Sequence, residues 1–126
     1  MPHKIIQTNK APKPIGPYSQ AILAGNTLYI SGQIAIDPED NALKIDNIKD
    51  ETHLVLKNLH AVLNEAGFEI VDVVKCSIFI KDMQQFSEIN AEYAEFFGSH
   101  APARETVEVA CLPKNVNVEI SAIAVH

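Results

Sequence analysis

The chain has few of the features that usually reveal a function. It holds only two cysteines, Cys76 and Cys111, 35 positions apart and without CxxC spacing. A disulfide framework or a zinc ribbon is therefore not indicated, and buried reduced thiols are the expectation. Basic residues are scarce, with 10 Lys and Arg against 16 Asp and Glu and a net charge of −6. No Lys/Arg cluster reverses that charge locally, so neither a phosphate backbone nor an anionic membrane surface finds a counterpart. No apolar run approaches the roughly 20 residues that cross a bilayer, and MPHKIIQTNKAPKP lacks a signal-peptide core. A cytoplasmic protein is the expectation. Repeats, low-complexity tracts and linkers are missing as well, which implies one domain over residues 1–126.

What is present is periodicity. Gly25-Asn26 reads as a two-residue turn between a strand through Ala21, Ile22 and Leu23 and a second strand from Thr27 to Ile36. Between Ile48 and Ala66 the apolar residues Val55, Leu56, Leu59, Val62, Leu63 and Ala66 recur at helical spacing, with Asn47 or Asp50 as cap and Gly67 as stop. Val71 to Lys81 alternates, placing Val74, Cys76, Ile78 and Ile80 on one face. Asp82 then has capping-box spacing, and Phe86, Ile89, Tyr93, Phe96 and Phe97 form the stripe of a second helix ending near Gly98.

The closing stretch, APARETVEVACLPKNVNVEISAIAV, joins two strand-like runs. Alternation puts Val107, Val109 and Cys111 on one face of the first and Arg104, Thr106 and Glu108 on the other. In the second, Val118, Ile120, Ala122 and Ala124 face one way, and Glu119 faces the other with Ser121, Ile123 and Val125.

The order strand, strand, helix, strand, helix, strand, strand suits an α+β architecture: a single mixed β-sheet with two helices packed on one face. The other face gathers Tyr29, Ser31, Ser77, Phe79, Thr106, Glu119, Ser121 and Ile123. Such small, aromatic and weakly polar groups suggest contact with another subunit rather than water.

Five stretches, IGPYSQ, SGQI, CSIFIKDM, PAR and the closing VEVACLPKNVNVEISAIAV, occur in one register along nearly the whole chain. Together they make it resemble the RidA/YjgF/L-PSP family. The resemblance implies a chorismate-mutase-like α+β fold and a homotrimer with three clefts between subunits. It also implies a 2-iminobutanoate/2-iminopropanoate deaminase, which hydrolyses enamines and imines such as 2-aminoacrylate and 2-aminocrotonate to 2-oxo acids and ammonia without a cofactor. Carried over by motif, Arg104 of PAR binds the substrate carboxylate and Glu119 of VEIS holds the water. Tyr18 of GPYS closes the pocket, Ser31 and Gly32 of SGQ line it, and Asn90 of INAEY lies near it. Thr106 stands where bacterial members often have cysteine, and Cys111 where arginine often precedes LPK.

Each of these residues also has a plainer reading. Taken alone, Arg104 after Pro102 suits a surface ion pair, Glu119 an edge acid, Tyr18 an interface aromatic and Ser31-Gly32 a bulge. His53 and His60 lie seven apart on the first helix, but a third metal ligand at suitable spacing and an HExxH pattern are both missing, so no metal is expected. No GxSxG marks a nucleophilic serine. Two further functions stand beside the enzyme: a trimer that senses 2-oxo acids or other small carboxylates, and RNA binding or cleavage, against which the acidity argues.

Overall fold

The computed structural model describes residues 3–126. Its elements run β1 (His3–Ile6), β2 (Ala21–Ala24), β3 (Thr27–Gln33), α1 (Ile48–Glu65), β4 (Val73–Ile80), α2 (Phe86–Phe97), β5 (Ala103–Glu108) and β6 (Val118–Val125). The six strands form one sheet in the order β1-β2-β3-β6-β4-β5. Every pairing is antiparallel except β4 with β5. A parallel pair needs a crossover, which α2 supplies. The sheet is therefore mixed and the architecture α+β, as the periodicity implies.

Strand β1 is an addition to the sequence reading. Only Ile6 of its four residues is buried, so HKII carries no alternation to detect, and β2 provides its register. The β2–β3 hairpin turns at Gly25-Asn26, with Gly25 in the left-handed region (φ +63) that its missing side chain permits. Asn47 is the cap of α1: its Oδ1 accepts from the Asp50 backbone N–H at 2.8 Å. Asp82 accepts from Gln84 N–H at 3.0 Å in the turn that leads into α2.

Helices α1 and α2 cover one face of the sheet. Val55, Leu59, Val62 and Leu63 of α1 and Ile89, Tyr93 and Phe97 of α2 pack on Leu28, Ile30, Cys76, Ile78, Ile80, Val118, Ile120 and Ala122. Each aliphatic side chain buried there contributes about 1.5–3 kcal/mol relative to exposure. Among the described residues no helix covers the opposite face, where Tyr29 is 51% and Val107 41% exposed.

Two bulges interrupt the alternation. Val73 pairs with Ala124 and Lys75 with Ile123, so Val74 is an extra residue. It is exposed and Val73 takes the core position, which corrects the placement of Val74 with Cys76 and Ile78. On β3, Ile30 pairs with Ala122 and Gln33 with Ile120, so Ser31-Gly32 carries one residue too many for β6. Gln33 is buried as a result, and the backbone at Ser31-Gly32 is re-aimed.

Candidate functional site

Seven residues line a cavity of about 300 Å³ on the uncovered face: Ile15, Tyr18, Ser31, Gly32, Ile34, Pro113 and Glu119. The β3 bulge builds its floor. Ser31 Oγ donates to the Ser19 carbonyl at 2.6 Å, and Ser31 N–H donates to the Gln20 carbonyl at 2.9 Å. Ser31 thus holds the segment that carries Tyr18. Gln20 is itself buried and anchors the chain before it: its Oε1 accepts from Thr8 N–H at 2.7 Å, and its Nε2 donates to the Pro12 carbonyl at 2.9 Å.

Gly32 lies against Glu119. A Cβ built on Gly32 would come within 2.7 Å of Glu119 Cδ, closer than real side chains approach. The missing side chain makes room for the glutamate itself. Glu119 is half-buried, and burial pushes its carboxyl above the ordinary value of 4.5. No charge or hydrogen bond opposes that shift, so the group is poised to hold or pass a proton.

Arg104 lies elsewhere. Its strand pairing sets it opposite Cys76, a core residue, whereas Glu119 lies opposite Phe79 on the uncovered face. Residues opposite one another in a ladder share a face, so one chain holds Arg104 and Glu119 on opposite sides of its sheet. The same pairing corrects the assignment of Thr106, which lies opposite Ile78 on the helix side. The uncovered face receives Glu105 and Val107 instead. There Lys75 Nζ lies 2.9 Å from Glu105 Oε1 and Ser77 Oγ donates to Glu105 Oε2, so that end of the face carries an ion pair.

On the helix side, α2 forms the surroundings of Arg104. Phe86, Asn90 and Tyr93 fall at i, i+4 and i+7, on one face of the helix. Arg104 Nη1 donates to Asn90 Oδ1 at 2.7 Å. Its Cζ lies 4.9 Å from the Tyr93 ring centroid and 5.6 Å from that of Phe86, within cation–π range. No carboxylate pairs with it among the described residues, although the chain is acidic. Thr106 Oγ1, two residues along, is buried without a hydrogen-bond partner. Asn90 therefore touches the arginine, and Phe86 and Tyr93, whose spacing marks only a helix stripe, join the group. The sign available was an asparagine set at helical spacing between two aromatics.

Burial pushes the Cys76 thiol up to about 11, while the Tyr93 hydroxyl and the Arg104 charge pull the other way. A thiol protonated at neutral pH is a packing group rather than a nucleophile. Cys111 is exposed and free. No cluster of three or more His, Cys, Asp or Glu among the described residues is arranged around a metal. His53 Nδ1 lies 3.7 Å from Glu92 Oε1, and His60 meets the Phe96 ring edge-on. Among the described residues no helix is long and apolar enough to cross a membrane.

Comparison with known proteins places this arrangement. A family model described as Endoribonuclease L-PSP matches residues 8–126. A RutC family protein of Pyrococcus horikoshii is 53% identical over 96% of each chain. A 2-iminobutanoate/2-iminopropanoate deaminase of Dermatophagoides farinae is 48% identical over 98% of this chain and 97% of its own. Among solved structures, a Rid-family protein of Yersinia pestis superposes with a TM-score of 0.95 at 46% identity, covering 98% of this chain and 99% of its own. Escherichia coli TdcF with bound serine gives 0.94 at 40% identity and 98% of each chain. The chain belongs to the L-PSP family, the RidA/YjgF group of its sequence resemblance.

Proposed function

We propose, with that family membership as the premise, that the protein is an enamine and imine deaminase acting on 2-aminoacrylate and 2-aminocrotonate. The observation that carries the reading is the state of Arg104: a permanent cation, held by a neutral amide and two ring faces, with no anion of its own. Such a guanidinium is available to a ligand carboxylate and binds it through two parallel, charge-assisted hydrogen bonds. The deaminase name of the mite relative and the serine in the bacterial neighbour add support, since both concern small amino-acid-like molecules.

The chemistry asks little beyond positioning. Protonation of the enamine carbon gives an iminium, water adds to its carbon, and the tetrahedral adduct expels ammonia to leave the 2-oxo acid. Glu119, whose proton is held more tightly than usual, hydrogen-bonds that water, takes its proton and returns it to the leaving nitrogen. Tyr18 closes the cavity over the substrate, and Ile15, Ile34 and Pro113 give it apolar walls. Thr106 offers its unpartnered hydroxyl beside Arg104. Asn90 contributes by fixing the arginine, and no cofactor takes part.

Because Arg104 and Glu119 lie on opposite faces of one sheet, this reading requires two copies, with Arg104 of one subunit facing the Glu119 cavity of the next. A homotrimer closed through the uncovered face, with its exposed Tyr29, Val107 and Val125, supplies that arrangement three times. The test is to add the protein to a serine or threonine dehydratase reaction and follow oxo-acid formation at early times. Acceleration that Arg104→Ala abolishes supports the deaminase. Tight 2-oxobutyrate binding without acceleration would replace it with a carboxylate sensor, and salt-dependent RNA cleavage would favour the activity in the family model's description.

A further inference from the structure

Arg104 sits on an edge strand, exposed, with one hydrogen bond to hold it. An arginine so placed samples many rotamers, and a ligand that needs one of them pays to select it. Tyr93 offers a different situation. It is 7% exposed, its ring packs on Phe97 at 4.7 Å, and the Arg104 guanidinium lies over it at 4.9 Å. A rigid ring beneath a flexible cation fixes the plane of the guanidinium, and Asn90 at Nη1 fixes its rotation within that plane.

We propose that Tyr93 is a positioning residue for the carboxylate grip: its ring face orients Arg104 before the ligand arrives, and its hydroxyl has no part in the reaction. This rests on the reading of Arg104 as the carboxylate holder. The hydroxyl is buried against the Cys76 thiol and makes no hydrogen bond of good geometry. Burial also holds its proton more tightly than in a free phenol, which suits neither an acid nor a base at neutral pH. What Tyr93 supplies is thus a π face, and that distinction is testable because phenylalanine keeps the face and loses the hydroxyl.

The experiment titrates 2-oxobutyrate into the wild-type protein, Tyr93→Phe and Tyr93→Leu, and follows the Arg104 Nε–H resonance in each. Tyr93→Met serves as a second ring-removing variant, since methionine fills irregular space and preserves the core. Tyr93→Phe keeps affinity within about twofold, whereas Tyr93→Leu and Tyr93→Met weaken it about fivefold, the size of a partly desolvated cation–π contact. In the ring-removing variants the Nε–H signal leaves its ring-shielded position, and KM for 2-aminoacrylate rises while kcat changes little. Equal losses in Tyr93→Phe and Tyr93→Leu would overturn the proposal, as would a Tyr93→Leu protein whose Nε–H signal and affinity are both unmoved. If wild type fails to bind 2-oxobutyrate, the carboxylate reading falls, and the Nε–H shift alone then decides whether Tyr93 orients the arginine.

Discussion

The Glu119 carboxylate occupies the space in which a side chain on Gly32 would stand. The β3 bulge brings the Gly32 backbone to that position, and the absence of Cβ lets the acid fold over it. Gly32→Ala therefore acts as an indirect mutation of Glu119. A single methyl forces the carboxylate out of its half-buried seat while leaving its chemistry intact. Deaminase activity in Gly32→Ala falls roughly ten- to a hundredfold, within the range by which a positioned acid–base group accelerates proton transfer. Steady-state ammonia release measures the loss, and a structure of the variant shows Glu119 displaced.

The raised pKa of Glu119 links stability to pH with a definite sign. The folded protein binds that proton more tightly than the unfolded chain, whose carboxyl titrates near 4.5. Between the unfolded value and the higher folded value the native state carries more protons, so stability falls as pH rises through that window. Above it the cost of the buried charge is present in full. Glu119→Gln consequently raises the melting temperature at pH 7 and leaves it nearly unchanged at pH 3, while the deaminase rate drops. Thermal unfolding at the two pH values checks the first half, and a variant that melts below wild type at pH 7 refutes it.

Local alternation made most of this fold legible. Leu28 and Ile30, Cys76 to Ile80, and Val118 to Ala124 each mark one buried row, and α1 and α2 follow from their apolar stripes. What alternation cannot tell is which face of a strand meets the helices when neither face is fully apolar. In β5, Val107 looked inward by composition, yet parallel pairing with β4 places it beside Phe79 on the uncovered side and seats Arg104 and Thr106 under α2. The bulge at Val74 is equally hidden, since it depends on the partner strand's register, whereas Gly32 already marks Ser31-Gly32 as a candidate bulge. Glu119 is visible as an acid between apolar neighbours, Asn90 and Gly32 enter the site through the family resemblance, and Tyr93 is visible only as helix stripe.

Glu51 is fully buried in the first turn of α1, and its carboxylate joins the helix to the start of β6. Asn117 N–H donates to Oε2 and Asn117 Nδ2 to Oε1, both at 2.7 Å. That clamp sets the approach of the segment from Pro113 to Glu119. Glu51→Ala leaves two half-buried Asn117 donors without their carboxylate and costs about 1–3 kcal/mol. Glu51→Gln keeps the shape but turns an amide donor toward one of them, and recovers only part. Urea denaturation ranks the three proteins, and Glu51→Ala within about 0.5 kcal/mol of wild type would show that the clamp is dispensable.

Replacing Arg104 tests the ligand grip most directly. Each charge-assisted hydrogen bond contributes about 1.5–3 kcal/mol, and a bidentate contact makes two of them. Arg104→Ala then lowers kcat/KM for 2-aminoacrylate by at least about a hundredfold, which corresponds to roughly 3 kcal/mol of lost transition-state binding. Lysine retains the charge but has neither the planar fork nor the reach to share itself between Asn90 and a carboxylate, so Arg104→Lys recovers a fraction of the loss. Folding is barely affected, since the side chain is exposed and pairs with no buried charge. An Arg104→Ala protein that binds 2-oxobutyrate as wild type does would place the carboxylate elsewhere, and with it the whole arrangement of a cation from one subunit facing an acid from the next.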